Sequence, residues 1–235
     1  MGAPPLSDFL GLSHRPFYRP VLRWRILMKS RWIFLLFALA LGACQRPELP
    51  VLGNIPEFRL TTQDDKPFGH EDMKGKVWVA NFIFTSCGGA CPMMTERMKK
   101  NIQAPLLEMA AGNPDFSARI VSFSVDPERD KPPVLADYAK THGADLRYWT
   151  FLTGPLQDVT KTVVEGFKIS MGKVPAATPQ AQGGGADDEI WEIVHGEQFL
   201  LIDAQGRIRG FYSSEGQGLR KLLADLRGLL KGKTS

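Results

Sequence analysis

Short apolar runs alternate along this chain with longer segments whose apolar side chains recur every three or four positions. The short runs predict buried strands, and the longer segments predict amphipathic helices. Strands are predicted at residues 78–84, 120–125, 147–152, 199–203 and 207–212, and helices at residues 92–111, 132–141, 156–167 and 219–230. Strands that alternate with helices and end in a hairpin predict an α/β fold, in which helices cover both faces of a mixed sheet.

Three segments outside this alternation complete the predicted organisation. Residues 44–54 contain prolines and predict a tether, and residues 58–66 predict a small N-terminal hairpin. Residues 170–189 are rich in Gly and Pro and predict a long loop that leads to His195. Residues 55–232 are then predicted to form a single domain.

The N-terminal region has the features of an export signal. Met28 is a second candidate start, and two basic residues after it precede the uncharged stretch 32–41. That stretch is too short to span a bilayer, so residues 28–43 are predicted to be a signal peptide. Residues 1–27 show no clear periodicity and are interpreted as an over-long gene start.

The predicted signal ends in Leu41-Gly42-Ala43-Cys44, which resembles a bacterial lipobox. This resemblance implies that Cys44 carries a lipid after cleavage and anchors the domain to the membrane. The alternative is an uncleaved signal anchor in which Cys44 has no role. Both interpretations place the domain on the same side of the membrane.

The positive charge of the whole chain comes from its leader. Residues 1–43 hold six basic side chains and one acidic side chain, and the whole chain holds 29 Lys and Arg and 25 Asp and Glu. Removing the leader leaves 23 basic and 24 acidic residues, a net charge of −1. This balance argues against nucleic acid as a partner.

The most informative motif is a pair of thiols, Cys87 and Cys91, with Pro92 directly after them. Both lie where the predicted strand ends and the next helix begins, so N–H groups and the helix dipole are expected to favour thiolate at both positions. The spacing predicts that both sulfurs lie on one helical face, where they could bind one metal ion or form a redox disulfide. The alternative is a purely structural buried pair.

His195 is the strongest histidine candidate for joining these thiols, because it precedes the predicted strand at 199–203. His70 and His142 have ordinary surface explanations, and His14 lies in the leader. Two thiolates and one imidazole suit Cu(I), and zinc is the main competitor.

Two further features near the thiols each have a functional and a structural interpretation. Met93 and Met94 could offer thioether sulfur but are predicted to pack in the core. Asp126 follows a central strand, so it either supports the site from a second shell or simply begins a turn.

Four separated blocks of sequence resemble the Sco/SenC family. They are Phe84 to Pro92, Ser122 to Asp130, Leu152 to Gly154, and His195 ahead of residues 199–203. The resemblance implies a thioredoxin-like fold that binds copper through Cys87, Cys91 and His195. It also implies delivery of copper to, or reduction of the cysteines of, the dinuclear copper centre in cytochrome c oxidase subunit II.

This chain departs from the family pattern between its cysteines, where many members have Pro and Asp and this chain has Gly88-Gly89-Ala90. The departure leaves the three implied copper ligands in place. The departure instead affects which partner protein is recognised and the redox properties of the thiol pair. The copper acceptor is therefore either subunit II or another protein.

The function expected from these features is a lipid-anchored copper metallochaperone in the cell envelope that faces the periplasm. The alternative is a thiol:disulfide oxidoreductase that uses Cys87 and Cys91. Against the alternative, three residues separate the cysteines where thioredoxin-type proteins usually have two, and no proline precedes the strand after His195. A peroxide reductase and a non-catalytic adaptor are weaker alternatives.

Overall fold

The computed structural model describes residues 48–113, 115–169 and 197–232. From Leu49 onward the chain forms one compact unit. The strands of the described part are β1 (Gly53–Asn54), β2 (Arg59–Thr62), β3 (Pro67–Gly69), β4 (Val77–Ile83), β5 (Ala118–Ser124), β6 (Trp149–Thr153), β7 (Gln198–Ile202) and β8 (Arg207–Ser213). The predicted leader, the signal peptide, Cys44, the loop 170–189 and His195 lie outside the described residues.

The helices of the described part are α1 (Ala90–Met98), α2 (Ala104–Ala110), α3 (Pro132–Thr141), α4 (Leu156–Thr160) and α5 (Gly216–Lys231). Two π-helical segments, Lys99–Gln103 and Lys161–Gly166, continue α1 into α2 and extend α4. A 3₁₀ turn spans His70–Met73. None of these helices is long and apolar enough to cross a membrane.

The eight described strands form one sheet in the order β1-β8-β7-β4-β5-β6-β2-β3. Strands β4, β5 and β6 are parallel, so their carboxyl ends lie along one edge. Strand β7 is antiparallel to β4, with Ala80 opposite Leu200, so the start of β7 lies beside the carboxyl end of β4. All seven residues of β4 are buried, as expected for a central strand that is covered on both faces.

Each face of the sheet has its own apolar core. On one face, Met98, Leu106 and Leu222 from α1, α2 and α5 pack against Ile120 of β5. On the other face, the segment that begins with α4 and the β2–β3 hairpin pack against aromatic side chains of the central strands. This arrangement confirms the predicted mixed sheet with helices on both faces and an N-terminal hairpin.

Pro105 explains why the helix predicted at 92–111 is not a regular α-helix. A proline in a helix interior cannot donate to the carbonyl four residues earlier, and its ring clashes with that carbonyl. The π-helical segment Lys99–Gln103 directly precedes this position and widens the turn. The helical run also begins at Ala90, two residues before the predicted start.

Strand β6 begins at Trp149, two residues later than predicted, because Asp145 organises a turn in front of it. The Asp145 carbonyl accepts N–H groups from Tyr148 at 3.0 Å and Trp149 at 2.9 Å. The Asp145 carboxylate accepts the backbone N–H and the guanidinium of Arg147. Arg147 and Tyr148 therefore belong to the turn and not to the strand.

The last residues of the predicted tether are part of the sheet. Gly53–Asn54 pairs with β8, and the N–H of Leu52 donates to the carbonyl of Ile208 at 2.8 Å. The buried Arg209 guanidinium donates to the carbonyl of Leu49 and to the Asp203 carboxylate. Proline content predicts an irregular segment here but gives no sign of this pairing.

Candidate functional site

The thiol pair lies at the carboxyl edge of the parallel strands, in the connection from β4 to α1. Cys91 is in the first turn of α1, as predicted, whereas Cys87 lies in the loop before the helix. The backbone N–H of Cys91 donates to Cys87 Sγ at 3.4 Å, so the two residues are in direct contact. The prediction that both sulfurs share one helical face is therefore wrong, because the helix begins after Cys87.

The two thiols have different exposures and opposite pKa shifts. Cys87 is half-buried, and Cys91 is buried; both are free thiols. The Cys91 side chain, together with N–H groups of Cys91, Gly89 and Ala90, lowers the pKa of Cys87 to about 5. The hydrogen bond with Cys87 and burial raise the pKa of Cys91 above its ordinary value.

This asymmetry corrects the prediction that both residues favour thiolate. Cys87 collects the hydrogen bonds that stabilise a negative charge, and Cys91 is a buried neighbour of that charge. In the metal-free protein at neutral pH, Cys87 is therefore the thiolate and Cys91 the thiol. Cys87 is the nucleophile of the pair.

Asp130 binds the start of the thiol loop, which comprises residues 84–89 between β4 and α1. Its buried carboxylate accepts the Thr85 hydroxyl at 2.5 Å, the Thr85 N–H at 3.2 Å and the Ser124 hydroxyl at 2.6 Å. Burial raises the pKa of Asp130, although these hydrogen bonds act in the opposite direction. Thr85 precedes Cys87 by two residues, so Asp130 fixes where the loop leaves β4.

Sequence reasoning singled out Asp126 and missed Asp130. The carbonyl of Asp126 accepts the N–H groups of Arg129 and Asp130, and its carboxylate pairs with Arg129 at 3.2 Å. Asp126 thus begins the turn that presents Asp130 to Thr85. Both aspartates lie in the segment 122–130 that was identified from the sequence, but the pattern does not indicate which of them reaches the thiol loop.

A pair of hydroxyls anchors α1 behind Cys91. Thr95 Oγ1 donates to the carbonyl of Cys91 at 2.9 Å and lies 2.8 Å from the Tyr138 hydroxyl on α3. Tyr138 is buried, and burial raises its pKa. Nothing in the sequence pattern indicated this contact, because it joins two helices that are distant along the chain.

The two described histidines have partners other than the thiols. His70 contacts Glu71 at 2.7 Å on the 3₁₀ turn. His142 follows the last residue of α3, and its ring packs against Tyr138 with a centroid distance of 4.2 Å. Burial and Lys99 lower the pKa of His142, which disfavours its protonated form.

The two methionines after the thiols have different environments. Met94 is 2% exposed and packs in the core, as predicted, whereas Met93 is 52% exposed. Within residues 48–113, 115–169 and 197–232, no cluster of three or more His, Cys, Asp or Glu side chains could hold a metal ion.

Comparison with known proteins agrees with this architecture. The chain is 30% identical over 184 residues to the SCO1 protein homolog of Bacillus subtilis, covering 77% of this chain and 84% of the relative. A SCO1/SenC family lipoprotein from Bacillus anthracis is 35% identical with a TM-score of 0.60, covering 75% of this chain and 95% of that chain.

BsSco, described as a Sco family member of the cytochrome c oxidase assembly proteins with a disulfide switch, is 26% identical with a TM-score of 0.57. That match covers 79% of this chain and 99% of BsSco. Structures of three more distant proteins that share the fold, from Bradyrhizobium japonicum, Arabidopsis thaliana and yeast, were solved with copper bound. These matches confirm the predicted thioredoxin-like fold.

The sequence profile of the SCO1/SenC family matches residues 52–231, which is most of the chain and nearly all of the described part. This range contains the four blocks of resemblance identified from the sequence. The chain belongs to the SCO1/SenC family.

Proposed function

We propose that this protein is a membrane-anchored metallochaperone whose cargo is copper. Cys87, Cys91 and His195 would hold the ion, and the dinuclear copper centre of cytochrome c oxidase subunit II would be its destination. Membership of a family that includes cytochrome c oxidase assembly proteins supports this destination. The contact between the Cys91 N–H and Cys87 Sγ carries the proposal, because it holds the Cys87 sulfur against the residue that supplies the second thiol.

The residues present fit copper as a cargo. Thiolate and imidazole are soft or borderline ligands, and Cu(I) accepts low coordination numbers. Cys87 already favours the thiolate form, whereas Cys91 must release its proton when a metal binds. Copper uptake is therefore expected to release about one proton near neutral pH, mainly from Cys91.

The position of β7 supports His195 as the third ligand. Gln198, the first residue of β7, lies near the carboxyl end of β4, from which the thiol loop continues. His195 precedes Gln198 by three residues. Three residues reach at most about 10 Å, so the sequence connects His195 closely to the edge of the sheet that carries the thiol loop.

Three ligands leave copper accessible to an incoming thiolate, and the loop between the cysteines leaves room for it. A Cβ atom placed on Gly88 or Gly89 would meet no atom within 4 Å. An acceptor cysteine can therefore approach Cys87 past two glycines that add no side chain of their own to this surface. Transfer would proceed by exchange of one sulfur ligand at a time.

The location in the cell belongs to the same proposal. Residues 28–43 would be the signal peptide, Cys44 the lipidated residue and the residues between Cys44 and Leu49 the connection to the domain. A lipoprotein relative in the same family supports the anchor. Export across the inner membrane would place the thiol site on the periplasmic side.

Anaerobic titration with Cu(I) tests the proposal on the fully reduced chain beginning at Gln45. One tight equivalent is expected, and His195→Ala should weaken it markedly. His70→Ala is the matched control, because His70 contacts Glu71 on the 3₁₀ turn beside β3 and should leave the affinity unchanged. Weak binding that is indifferent to His195 would refute the copper site.

A second candidate function is reduction of a partner disulfide, favoured by the pKa difference within the thiol pair. The Cys87 thiolate would attack one sulfur of the partner disulfide, and the other partner sulfur would leave as a thiolate. Cys91 would then lose its proton and attack Cys87, which releases the second partner thiol and forms the Cys87–Cys91 disulfide. Cys91→Ser would trap the mixed disulfide, detectable by mass spectrometry, if this reaction occurs.

A further inference from the structure

Packing in the core explains Met94 but not Met93. Met94 is 2% exposed beneath α1, whereas Met93 is 52% exposed in the first turns of the same helix. Met93 therefore presents a thioether to solvent within two residues of Cys91. A thioether is a soft, neutral sulfur ligand of the kind that Cu(I) accepts.

Helix geometry sets which sulfur Met93 can approach. Met93 follows Cys91 by two residues, which places it about 200° around the helix and about 3 Å along its axis. The Cys91 side chain points into the core, so Met93 projects away from it. Met93 therefore does not belong to a compact set of ligands that includes Cys91.

Helix geometry directs the Met93 side chain toward the loop that holds Cys87. On a helix, residues three and four positions apart share a face, so Met93 lies on the side of Ala90 and Gly89. Helical side chains lean toward the preceding turn, which here is the thiol loop. A Cβ atom on Gly88 or Gly89 would meet no atom within 4 Å, so the loop beside Cys87 leaves space that the flexible Met93 side chain can enter.

The exposures of the two cysteines define the exit from the site. Cys91 is 4% exposed, and Cys87 is half-buried, so a bound ion leaves on the Cys87 side. Met93 lies on that side. A sulfur ligand at this exit can bind the ion after it leaves the thiol site and before it reaches the stronger ligands of the acceptor.

We propose that Met93 is a transient ligand that binds Cu(I) while the ion enters or leaves the thiol site. This inference rests on the proposed copper function and adds a residue to the transfer path. The copper remains Cu(I) throughout. A lone pair of the Met93 sulfur forms a bond to copper as the copper–Cys91 bond breaks, and Cys91 takes a proton from water. An acceptor thiolate then displaces Met93, which leaves as a neutral thioether, and a second acceptor ligand displaces Cys87, which leaves as a thiolate and completes the transfer.

Transfer kinetics test this role in the full chain, solubilised in detergent and loaded with Cu(I). The probe is bathocuproine disulfonate, whose colour reports each ion that it removes. Met93→Leu should slow the transfer about tenfold, equivalent to about 1.4 kcal/mol in the barrier, while the resting affinity for Cu(I) is unchanged. Leucine preserves the apolar surface. If Met93 serves only to dock the acceptor, Met93→Leu will leave the transfer rate unchanged, and that result would overturn the inference.

A spectroscopic measurement detects the copper–thioether bond directly. In Cys91→Ser protein labelled with ¹³C in its methionine methyl groups, addition of Cu(I) should shift the Met93 signal. The buried Met94 and Met98 signals in the same spectrum report whether the variant remains folded. A folded variant that binds Cu(I) without a shift at Met93 would overturn the inference. Failure of the unmodified protein to bind Cu(I) would overturn the proposed function as well.

Discussion

The buried carboxylate of Asp130 holds both donors of Thr85, the residue two positions before Cys87. A segment that follows β5 thereby fixes the loop that follows β4. The thiol loop itself is largely exposed and contains two adjacent glycines, so it has few restraints of its own. The position of the Cys87 thiolate depends on this link between two neighbouring strand ends.

The first prediction concerns the thiolate of Cys87. In the reduced, metal-free protein, the rate of alkylation by iodoacetamide should rise with pH around a midpoint near the pKa of Cys87, about 5. Cys91→Ala removes the thiol that donates to Cys87 and should move the midpoint upward. Cys91→Ser keeps a donor and should move it less. Equal midpoints in the two variants would contradict the assigned hydrogen bond.

The second prediction concerns Asp130 and the pH dependence of stability. Burial raises the folded-state pKa of Asp130 above its ordinary value, so the folded protein binds more protons than the unfolded chain in the window between the two values. The associated stabilisation is present below the ordinary carboxyl pKa and is lost as the pH rises through the raised pKa.

Urea unfolding at a series of acidic to neutral pH values measures this effect. The unfolding free energy of the natural protein, relative to Asp130→Asn, should fall as the pH increases through that window. The exposed Asp137 provides a control substitution, Asp137→Asn, on the following helix. A difference between natural protein and Asp130→Asn that rises with pH would show that Asp130 is preferentially ionised in the fold.

The third prediction compares two arginines that bind the same carboxylate oxygen. Arg209 contacts Asp203 Oδ2 at 2.8 Å and is 2% exposed, whereas Arg207 contacts it at 2.7 Å with 36% of its side chain exposed. Arg209→Met should lower the unfolding free energy by about 3 kcal/mol, because it removes a buried charge partner. Arg207→Met should cost at most about 1 kcal/mol. Equal losses in urea unfolding would contradict this ranking.

The fourth prediction concerns two glycines that play different roles. A Cβ on Gly218 would lie 2.4 Å from the carbonyl oxygen of Ser213, so Gly218→Ala forces α5 and β8 apart. The expected loss is about 2 kcal/mol of unfolding free energy. A Cβ on Gly88 meets nothing within 4 Å, so Gly88→Ala should change stability by less than about 0.5 kcal/mol. Thermal unfolding of both variants provides the comparison. A large loss of stability in Gly88→Ala would contradict the open surroundings of Gly88.

The helices and strands were predictable where one local signal governs the backbone. The prolines at 132 and 133 open α3, which spans Pro132–Thr141 as expected. The largely apolar composition of β4, in which Asn81 is the one polar residue, identified it as a central strand. The observed boundaries differ from the predicted ones where a side chain or a distant strand binds the backbone. Examples are the Asp145 turn before β6 and the pairing of β1 with β8.

The sequence by itself determined the family, the fold class and the identity of the thiol pair, because these depend on local periodicity and on motifs that are contiguous along the chain. The tertiary structure alone decided that Cys87 is the thiolate and Cys91 the buried thiol, that Asp130 and not Asp126 holds Thr85, and that Met93 is exposed while Met94 is buried. Burial and hydrogen bonding depend on which residues meet after folding. Two cysteines, two aspartates or two methionines that are equivalent along the chain therefore become chemically different in the folded protein.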